Sequence, residues 1–576
     1  MSLCKRKTSF LILFLTGFFS LFSQEVLKSF QENYYEFLIL DGLSSRNYIT
    51  YRSLSNAIYE TEESSEELIW NKENLSGLYK MDFNFSKSNW FLNGINQNLL
   101  VKIHGPDWYN SYNSKAPFGQ NDGALWQGRG YNSSFSTGAT IKAFGLEITV
   151  KPQMNYSQNL DFDIMELELS KTSGYSEYSH WYLSADSVQR YGDSAFSQFD
   201  FGDTDIRYNF YNFTIGFGTQ AVWIGPAILN PMLLSNNAAS FPKLDIGLNR
   251  TRLYIPFTNI YAGDIEFHTF TGQLQESDYY DSDSSNDLRQ FTLFSLSYAP
   301  SFMEGFSLGI TKTCMNYWGD SKWIYYLNPF YSDNTLKTST SSDVQGEDQK
   351  VSFTFDWIFE KVGLETYAEL AIDDFLPGGF SLYEYARYPF HTMAYTVGLR
   401  KSFNFKKYPK VKGLLEFEWN SSEGSRDYYN WPAAYNFGTH YQVKQGHTNK
   451  GQWLGSGLGY GGNSQYLSYT LYSPHGYDKF FIGRNNPDNG YVNYQILWGT
   501  SSTDRAKRWF TAYKANFYTG VETLWFLPSN LTVKGAFVYN LIINPLYNPG
   551  LSSNGAYREY TYWHNFHINL ELNYRL

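Results

Sequence analysis

The sequence is short of cysteine, of charge and of long apolar segments. Only 2 of its 576 residues are cysteine and 17% are charged, so neither a disulfide-stapled scaffold nor a chain kept unfolded by its charge fits. Beyond the N-terminus, no apolar run approaches the roughly 20 residues of a membrane helix. Aromatic residues, in contrast, make up 19% of the chain, and they favour β-strands. The composition therefore indicates a large β protein.

The N-terminus predicts export. Lys5, Arg6 and Lys7 precede an apolar stretch over residues 10–22, and the small residue Ser23 follows. This order is typical of a secretory signal peptide, here residues 1–23. Removing it takes three positive charges from a chain of net charge −10 and leaves −13. Such acidity argues against nucleic acid as a partner, because nucleic-acid binding needs a basic surface.

The last eleven residues alternate between apolar and polar side chains. The apolar ones are Phe566, Ile568, Leu570, Leu572, Tyr574 and Leu576. Period two predicts a strand with one apolar and one polar face, and about 9–11 tilted residues cross a bilayer. Residues 146–151, 294–298, 351–357 and 415–419 repeat the pattern. We therefore predict an all-β transmembrane barrel over residues 78–576, with about 18 antiparallel strands (16–20) at roughly 25–30 residues per strand and connection.

The connections between these strands are of two kinds. Residues 299–305, 360–361 and 527–530 are short, whereas 273–290, 312–350, 420–451 and 542–563 are long and polar. Membrane barrels have short periplasmic turns and long external loops. The final strand should end on the periplasmic side, which makes 542–563 external and 527–530 periplasmic. The pattern assigns no side to 473–490.

The segment between signal peptide and barrel, residues 24–77, is predicted to be a small periplasmic helical region. Apolar residues recur there at helical spacing, namely Val26, Phe30, Tyr34, Phe37 and Leu38. Asp41 and Gly42 should end this helix. A second helix is predicted to include Leu54, Ala57 and Ile58.

Catalytic and metal-binding patterns are weak in this sequence. Glu416 and Glu418 lie two apart on one strand face, as a glycosidase pair or as polar residues of the barrel lumen. The segment 457–462 matches GxGxxG without the strand and helix of a nucleotide site. Asp278, Asp281 and Asp283 suit calcium or simply a solvated loop. His440 and His447 show no zinc-site spacing. We predict no enzyme activity and no cofactor, although a dispersed Ser/His set stays open.

Aromatic and amide residues are concentrated in the segments predicted to be external loops, among them residues 104–132. Flat aromatic faces stack on sugar rings, and amides bind sugar hydroxyls. The candidate glycan-binding residues are Trp108, Tyr109, Trp126, Tyr428, Tyr429, Trp431 and Tyr547. For Trp108 and Trp126 an aromatic girdle at the membrane interface is an equally good interpretation, and for Trp563 it is the preferred one.

Three stretches of the chain resemble the capsule assembly protein Wzi family. They are PFGQNDGALWQGRG at 117–130, VWIGP at 222–226 with Asn230-Pro231, and AASFPK at 238–243. The resemblance implies a plugged outer-membrane barrel of 18 strands with a periplasmic helical bundle. It also implies a lectin that attaches exported capsular polysaccharide to the cell surface.

The expected function is therefore non-catalytic binding of capsular or other surface polysaccharide, in the outer membrane of a Gram-negative bacterium and among its lipids. A porin or substrate-selective channel is the alternative, since the barrel pattern supports it equally well. A barrel enzyme acting on lipid or glycan is the third possibility, and it needs a convergent catalytic cluster.

Overall fold

The computed structural model describes thirteen stretches of the chain. They are residues 23–24, 28–61, 68–70, 79–80, 99–165, 174–181, 185–320, 347–373, 393–423, 437–440, 442–487, 514–547 and 561–574. Within these ranges, no α-helix has the length and hydropathy needed to cross a membrane.

A closed antiparallel barrel of 18 strands forms the body of the protein. The strands are β1 (Leu100–Asn113), β2 (Gly130–Ala143), β3 (Leu146–Val150 and Gln153–Ser157), β4 (Phe196–Asp200 and Asp205–Phe210), β5 (Phe213–Gly218), β6 (Lys243–Tyr254), β7 (Tyr261–Gln275), β8 (Leu288–Pro300), β9 (Phe306–Tyr317), β10 (Glu347–Phe359), β11 (Leu364–Asp373), β12 (Met393–Asn404), β13 (Lys412–Ser421), β14 (Asn463–Ser473), β15 (Gly476–Asn486), β16 (Ala515–Phe526), β17 (Leu531–Ile543) and β18 (Tyr562–Tyr574). Pairing of β18 with β1, from Asn573 opposite Asp107 to His567 opposite Asn113, closes the barrel. The predicted fold is confirmed.

Side chains of the wall alternate between a lipid-type outer face and a polar inner face. On β18, Phe566, Ile568 and Leu570 are exposed on the outside, whereas Asn565 and His567 are buried inside. A strand has period two, so this alternation follows directly from the sequence. The predicted strand at the C-terminus is thus confirmed.

Short turns gather at one end of the barrel and long connections at the other. The short turns include residues 301–305, 360–363 and 527–530, as the sequence predicted. Residues 473–490, which the sequence pattern assigned to neither end of the barrel, contain a tight turn at 474–475 and then β15. We call these the short-turn end and the long-loop end.

The first predicted helix is confirmed, and it lies inside the barrel at the short-turn end. Helix α1 (Phe30–Leu40) begins after Ser29, whose hydroxyl accepts a hydrogen bond from the Glu32 N–H, and it ends at Asp41. Its apolar side chains pack with wall residues beside the short turns, among them Leu414, Tyr472 and Leu524. At the end of the helix, Asp41 forms an ion pair of 2.6 Å with Lys412 on β13.

The second predicted helix is wrong. Residues 54–56 form a turn, and the short strand Ile58–Thr61 pairs with Ser44–Arg46. Tyr51–Ser53 pairs with Val222–Ile224. The Glu266 carboxylate on β7 also accepts the backbone N–H groups of three successive residues, Ile49, Thr50 and Tyr51. These partners satisfy the backbone groups that a helix would otherwise pair internally, so tertiary contacts override the local pattern.

Candidate functional site

Three connections at the long-loop end fold into the barrel rather than away from it. We call residues 114–129 inner loop 1, residues 219–242 inner loop 2, and the described residues between 437 and 462 inner loop 3. With the N-terminal segment 28–61, they fill much of the lumen. The sequence-based assignment of 104–132 to an external loop is wrong, because β1 continues to Asn113, β2 starts at Gly130, and the residues between them turn inward.

Two glutamates of the wall hold inner loop 2. Glu418 on β13 accepts the N–H groups of Ile228 at 2.7 Å and Asn230 at 2.9 Å. Glu369 on β11 accepts those of Ala227 at 2.9 Å and Met232 at 2.8 Å. Hydrogen bonds to a carboxylate are about twice as strong as neutral ones. The loop is therefore fixed through its backbone.

Glu416, the partner of Glu418 in the hypothetical glycosidase pair, has a different set of contacts. Its carboxylate accepts the Ser468 hydroxyl at 2.8 Å and pairs with Lys479 at 3.1 Å. Both glutamates are thus engaged by the protein itself, which favours the interpretation of polar residues lining the lumen.

Asn230 joins all three inner loops to the wall. Its side-chain oxygen accepts hydrogen bonds from Gln120 of inner loop 1 at 3.1 Å and from Ser456 of inner loop 3 at 2.9 Å. Its side-chain N–H donates to Glu418 at 2.9 Å, and its carbonyl accepts the Thr396 hydroxyl at 2.7 Å. Through its side chain and its carbonyl, this one residue thus connects inner loop 2 with four other parts of the chain: inner loops 1 and 3 and strands β12 and β13.

Trp223 connects inner loop 2 to the N-terminal segment. Its indole N–H donates to the Ala227 carbonyl at 3.0 Å. The Lys28 ammonium lies 3.9 Å above the ring centroid and the Arg52 guanidinium 5.2 Å from it. Burial, then repulsion from Arg52, lowers the pKa of Lys28 to about 7. This motif residue therefore closes a packed junction inside the barrel.

The histidines and aspartates considered as metal ligands in the sequence analysis form hydrogen bonds within the loops instead. The His447 ring lies 2.7 Å from the Leu233 carbonyl, and burial lowers its pKa to about 4, which keeps the ring neutral. The ring of His440 accepts the Val443 N–H at 3.0 Å. Asp281 and Asp283 accept hydrogen bonds within their own exposed turn. Among the described residues, no group of three or more His, Cys, Asp or Glu side chains is arranged to hold a metal.

A cavity of about 620 Å³ lies between the inner loops and the wall formed by β13–β18 and β1. It reaches from Tyr472 near the short-turn end to Asn516 and Tyr547, where long connections leave the wall. Its lining includes aromatic and amide side chains, among them Tyr109, Trp126, Gln127, Gln189, Tyr518, Asn540, Trp563 and Asn569, beside charged and aliphatic ones. Ligand sites typically have volumes of about 300–1,000 Å³, so we take this cavity as the candidate site.

Charged side chains along the wall of the cavity have ionic or hydrogen-bonding partners within the wall. Besides the Lys479–Glu416 pair, Lys534 on β17 lies 2.5 Å from Glu571 on β18. The Tyr477 hydroxyl donates to Glu522 on β16 at 2.6 Å. Opposite charges on the same inner wall neutralise one another in this low-dielectric setting. Lys479 and Lys534 are therefore each neutralised by a glutamate, and Glu522 accepts the tyrosine hydroxyl.

The seven candidate glycan-binding residues predicted from the sequence do not all lie at the cavity. Tyr109, Trp126 and Tyr547 line the cavity. Trp108 lies on the outer face of β1 with 47% of its surface exposed, a position for a girdle residue that is remote from the cavity. Tyr428, Tyr429 and Trp431 lie outside the described residues.

The preferred interpretation of Trp563, as a residue of the outer aromatic girdle, is wrong. The side chain is buried inside the barrel against Ile542 and Ala116. Period two places it on the same face as Asn565 and His567, so the signal was present in the sequence. The cavity-lining residues Asn516 on β16 and Asn540 on β17 were missed, although apolar residues alternate with them in the same manner.

A comparison with protein families shows to which family this chain belongs. The model of the capsule assembly protein Wzi matches residues 109–474, more than half of the chain. The protein belongs to the Wzi family. As a Wzi-family barrel it is an outer-membrane protein, so its short-turn end faces the periplasm and its long-loop end the outside. No curated protein matches the chain.

The chain is similar to several solved structures. One is Wzi of Escherichia coli, described as an outer-membrane protein involved in group 1 capsule assembly and as a carbohydrate-binding β-barrel. It superposes with a TM-score of 0.57 at 9% identity, over 97% of this chain and 100% of that one. OccAB2 of Acinetobacter baumannii gives a TM-score of 0.34 at 12% identity, over 83% of this chain and 98% of its own. OprB of Pseudomonas putida gives 0.34 at 10%, over 84% and 96%.

Proposed function

We propose that this Wzi-family barrel binds exported capsular or other surface polysaccharide and attaches it to the cell without chemical change. The observation that carries the proposal is the cavity, where Trp126, Tyr547 and Trp563 stand among amide side chains in its outward half. Aromatic faces stack on sugar rings while amides bond their hydroxyls. Repeating units of one polymer supply avidity, since many weak contacts on many barrels hold the same chain.

Charge and lumen filling bear on the choice of ligand and on the channel alternative. A mature net charge of −13, after loss of the predicted signal peptide, disfavours a strongly anionic glycan. The inner loops and the N-terminal segment occupy the path that an open porin leaves for water. Both features support retention of a glycan at the outer surface over passage of solutes.

Deletion of the gene tests this proposal. We expect total polysaccharide to stay the same while the cell-bound fraction falls and the fraction in the medium rises. Complementation with the wild-type gene should restore the cell-bound fraction. An unchanged cell-bound fraction in the deletion strain would contradict the proposal.

A matched pair of tryptophan variants tests the place of binding. Trp126→Ala should weaken polysaccharide binding about five- to tenfold, because it removes a stacking face from the cavity. Trp108→Ala, on the outer face, should leave binding unchanged. Trp126→Phe is the control for packing, since the ring contact with Tyr191, at 4.8 Å between centroids, is largely kept. Equal binding by Trp126→Ala and the wild type would remove Trp126 from the site.

A further inference from the structure

Asparagine recurs at the outward end of neighbouring strands on one side of the cavity. Asn485 on β15 stands directly opposite Asn516 on β16. One step further into the barrel, Asn540 on β17 stands between Tyr518 on β16 and Asn565 on β18. Directly opposed residues of an antiparallel pair point to the same face. These side chains therefore form a continuous amide surface on the inner wall.

Part of this amide surface lacks hydrogen-bond partners. The side-chain oxygens of Asn485, Asn516 and Asn540 accept no hydrogen bond within the described part of the chain. Asn485 is only 6% exposed and Asn540 only 2%, and all three residues line the cavity. A buried amide left unpaired is costly, so such groups normally meet a partner. The wall here offers more hydrogen-bonding capacity than the protein itself uses.

Aromatic rings border the same amide surface. Tyr518 lies beside Asn540 in the wall, and Trp563 and Tyr547 line the cavity near the long-loop end. Further in, Lys479 and Lys534 of the wall are paired with glutamates. At the long-loop end, the Lys514 ammonium lies 5.7 Å from the centroid of the Tyr547 ring. A ligand that suits this lining has flat apolar ring faces, many hydroxyl or amide groups and no net charge.

We propose that Asn485, Asn516 and Asn540, with the rings of Tyr518 and Trp563, form a binding subsite for a short uncharged saccharide segment inside the barrel. The segment enters from the long-loop end, and its hydroxyls bond the unpaired amides while its rings lie on the aromatic faces. This inference rests on the proposed function. It adds that the glycan is held within the lumen and that the recognised unit is neutral.

The test measures binding to the purified full-length protein in detergent micelles by isothermal titration calorimetry. The probes are the surface polysaccharide of the source bacterium and the short oligosaccharides released from it by partial acid hydrolysis. The double variant Asn516→Leu/Asn540→Leu should bind the oligosaccharides at least about 30-fold more weakly, because each lost hydrogen bond reduces affinity by roughly five- to tenfold. Asn110→Leu makes the same chemical change beside Tyr131 on the outer face and should bind like the wild type.

Each outcome decides the inference. Wild-type affinity of the double variant for the oligosaccharides overturns the luminal subsite, while binding of the polysaccharide to the wild type leaves the proposed function standing. Failure of both probes to bind the wild type overturns the proposed function and the subsite together. If the leucine variant does not show the heat-dependent gel mobility of a folded barrel, Asn516→Ala/Asn540→Ala takes its place, and wild-type affinity of that variant overturns the subsite equally.

Discussion

Replacing Glu418 by alanine should release inner loop 2 and make the barrel conduct ions. The Glu418 carboxylate accepts hydrogen bonds from the backbone of residues 228–230, from the Asn230 side chain and from the Tyr367 hydroxyl at 2.9 Å. Alanine leaves these buried donors without an acceptor. A buried donor left unsatisfied costs about 1–3 kcal/mol, so with several such donors the free energy of unfolding should fall by at least about 3 kcal/mol.

The change should extend beyond inner loop 2. Asn230 loses the carboxylate that accepts its backbone and side-chain N–H groups and with it the orientation that receives Gln120 and Ser456, so inner loops 1 and 3 are loosened together. Single-channel recording in planar bilayers measures the opening, and denaturant titration measures the stability. Glu418→Gln should give a smaller effect, because its amide keeps one acceptor oxygen. Glu304→Ala, in an exposed short turn, is the matched control without effect on either quantity.

Two results would contradict this account of Glu418. One is a conductance equal to that of the wild type together with a stability change below about 1 kcal/mol, the range of an exposed substitution. The other is a loss of stability as large in Glu304→Ala as in Glu418→Ala, which would separate the effect from the buried carboxylate.

The fold could be predicted because each wall strand carries its own period-two signal. On β18 the outward residues from Phe566 to Tyr574 form an apolar series that needs no knowledge of the rest of the chain. Other local patterns predicted the short turn at 527–530 and, through the Asp41-Gly42 break in a helical period, the end of α1 at Asp41. Local patterns suffice where local geometry decides the structure.

The site could not be predicted in the same way, because it depends on contacts distant in sequence. Trp108 faces outward since the register of β1 against β2 shifts between His104 and Asp107, so inward residues change from even to odd numbers. Trp126 faces inward because inner loop 1 folds into the lumen, where the Gly123 N–H donates to the Asn236 carbonyl at 2.8 Å. The alternation of apolar and polar residues predicts neither the register shift in β1 nor the inward fold of inner loop 1.

The motifs that resemble the Wzi family describe how the barrel is filled. Trp223 and Asn230 join inner loop 2 to the N-terminal segment, the wall and the other inner loops, as their hydrogen bonds and ring contacts show. Gly225 adopts a positive φ of 94°, and an added Cβ there would lie 2.2 Å from the Glu369 carboxylate. These motif residues thus hold inner loop 2 in the barrel. The asparagines of the proposed luminal subsite lie on strands β15–β17, outside the matched residues 109–474, whereas Trp126 lies within them.

Acid should loosen the N-terminal segment through one carboxylate, Glu36 on α1. Its oxygens lie 3.2 Å from the Arg46 guanidinium and 3.4 Å from that of Arg400 on β12, and the Tyr59 hydroxyl donates to it at 2.9 Å. Burial alone would raise the pKa of Glu36, but the nearby positive charges of Arg46, Arg400 and Arg52 outweigh it and lower the pKa to about 2. In the unfolded chain the carboxyl has an ordinary pKa near 4.3.

The sign of the pH effect follows from this difference. A carboxyl whose pKa is lower in the folded protein stabilises the fold above about pH 4.3, and this contribution disappears as the pH falls toward 2. A difference of about two pKa units corresponds to roughly 3 kcal/mol. We expect the wild type to exceed Glu36→Gln in unfolding free energy by about that amount at pH 6 and by almost nothing at pH 2.

Denaturant titrations of the two proteins at a series of pH values check this expectation. The difference between them isolates Glu36 from the other carboxylates, which titrate equally in both. Glu304→Gln supplies the control, because its exposed side chain should give a difference near zero at every pH. A wild-type advantage over Glu36→Gln that stays constant from pH 6 to pH 2 would mean that packing or hydrogen bonding, and not the charge held by Arg46 and Arg400, secures the N-terminal segment in the barrel.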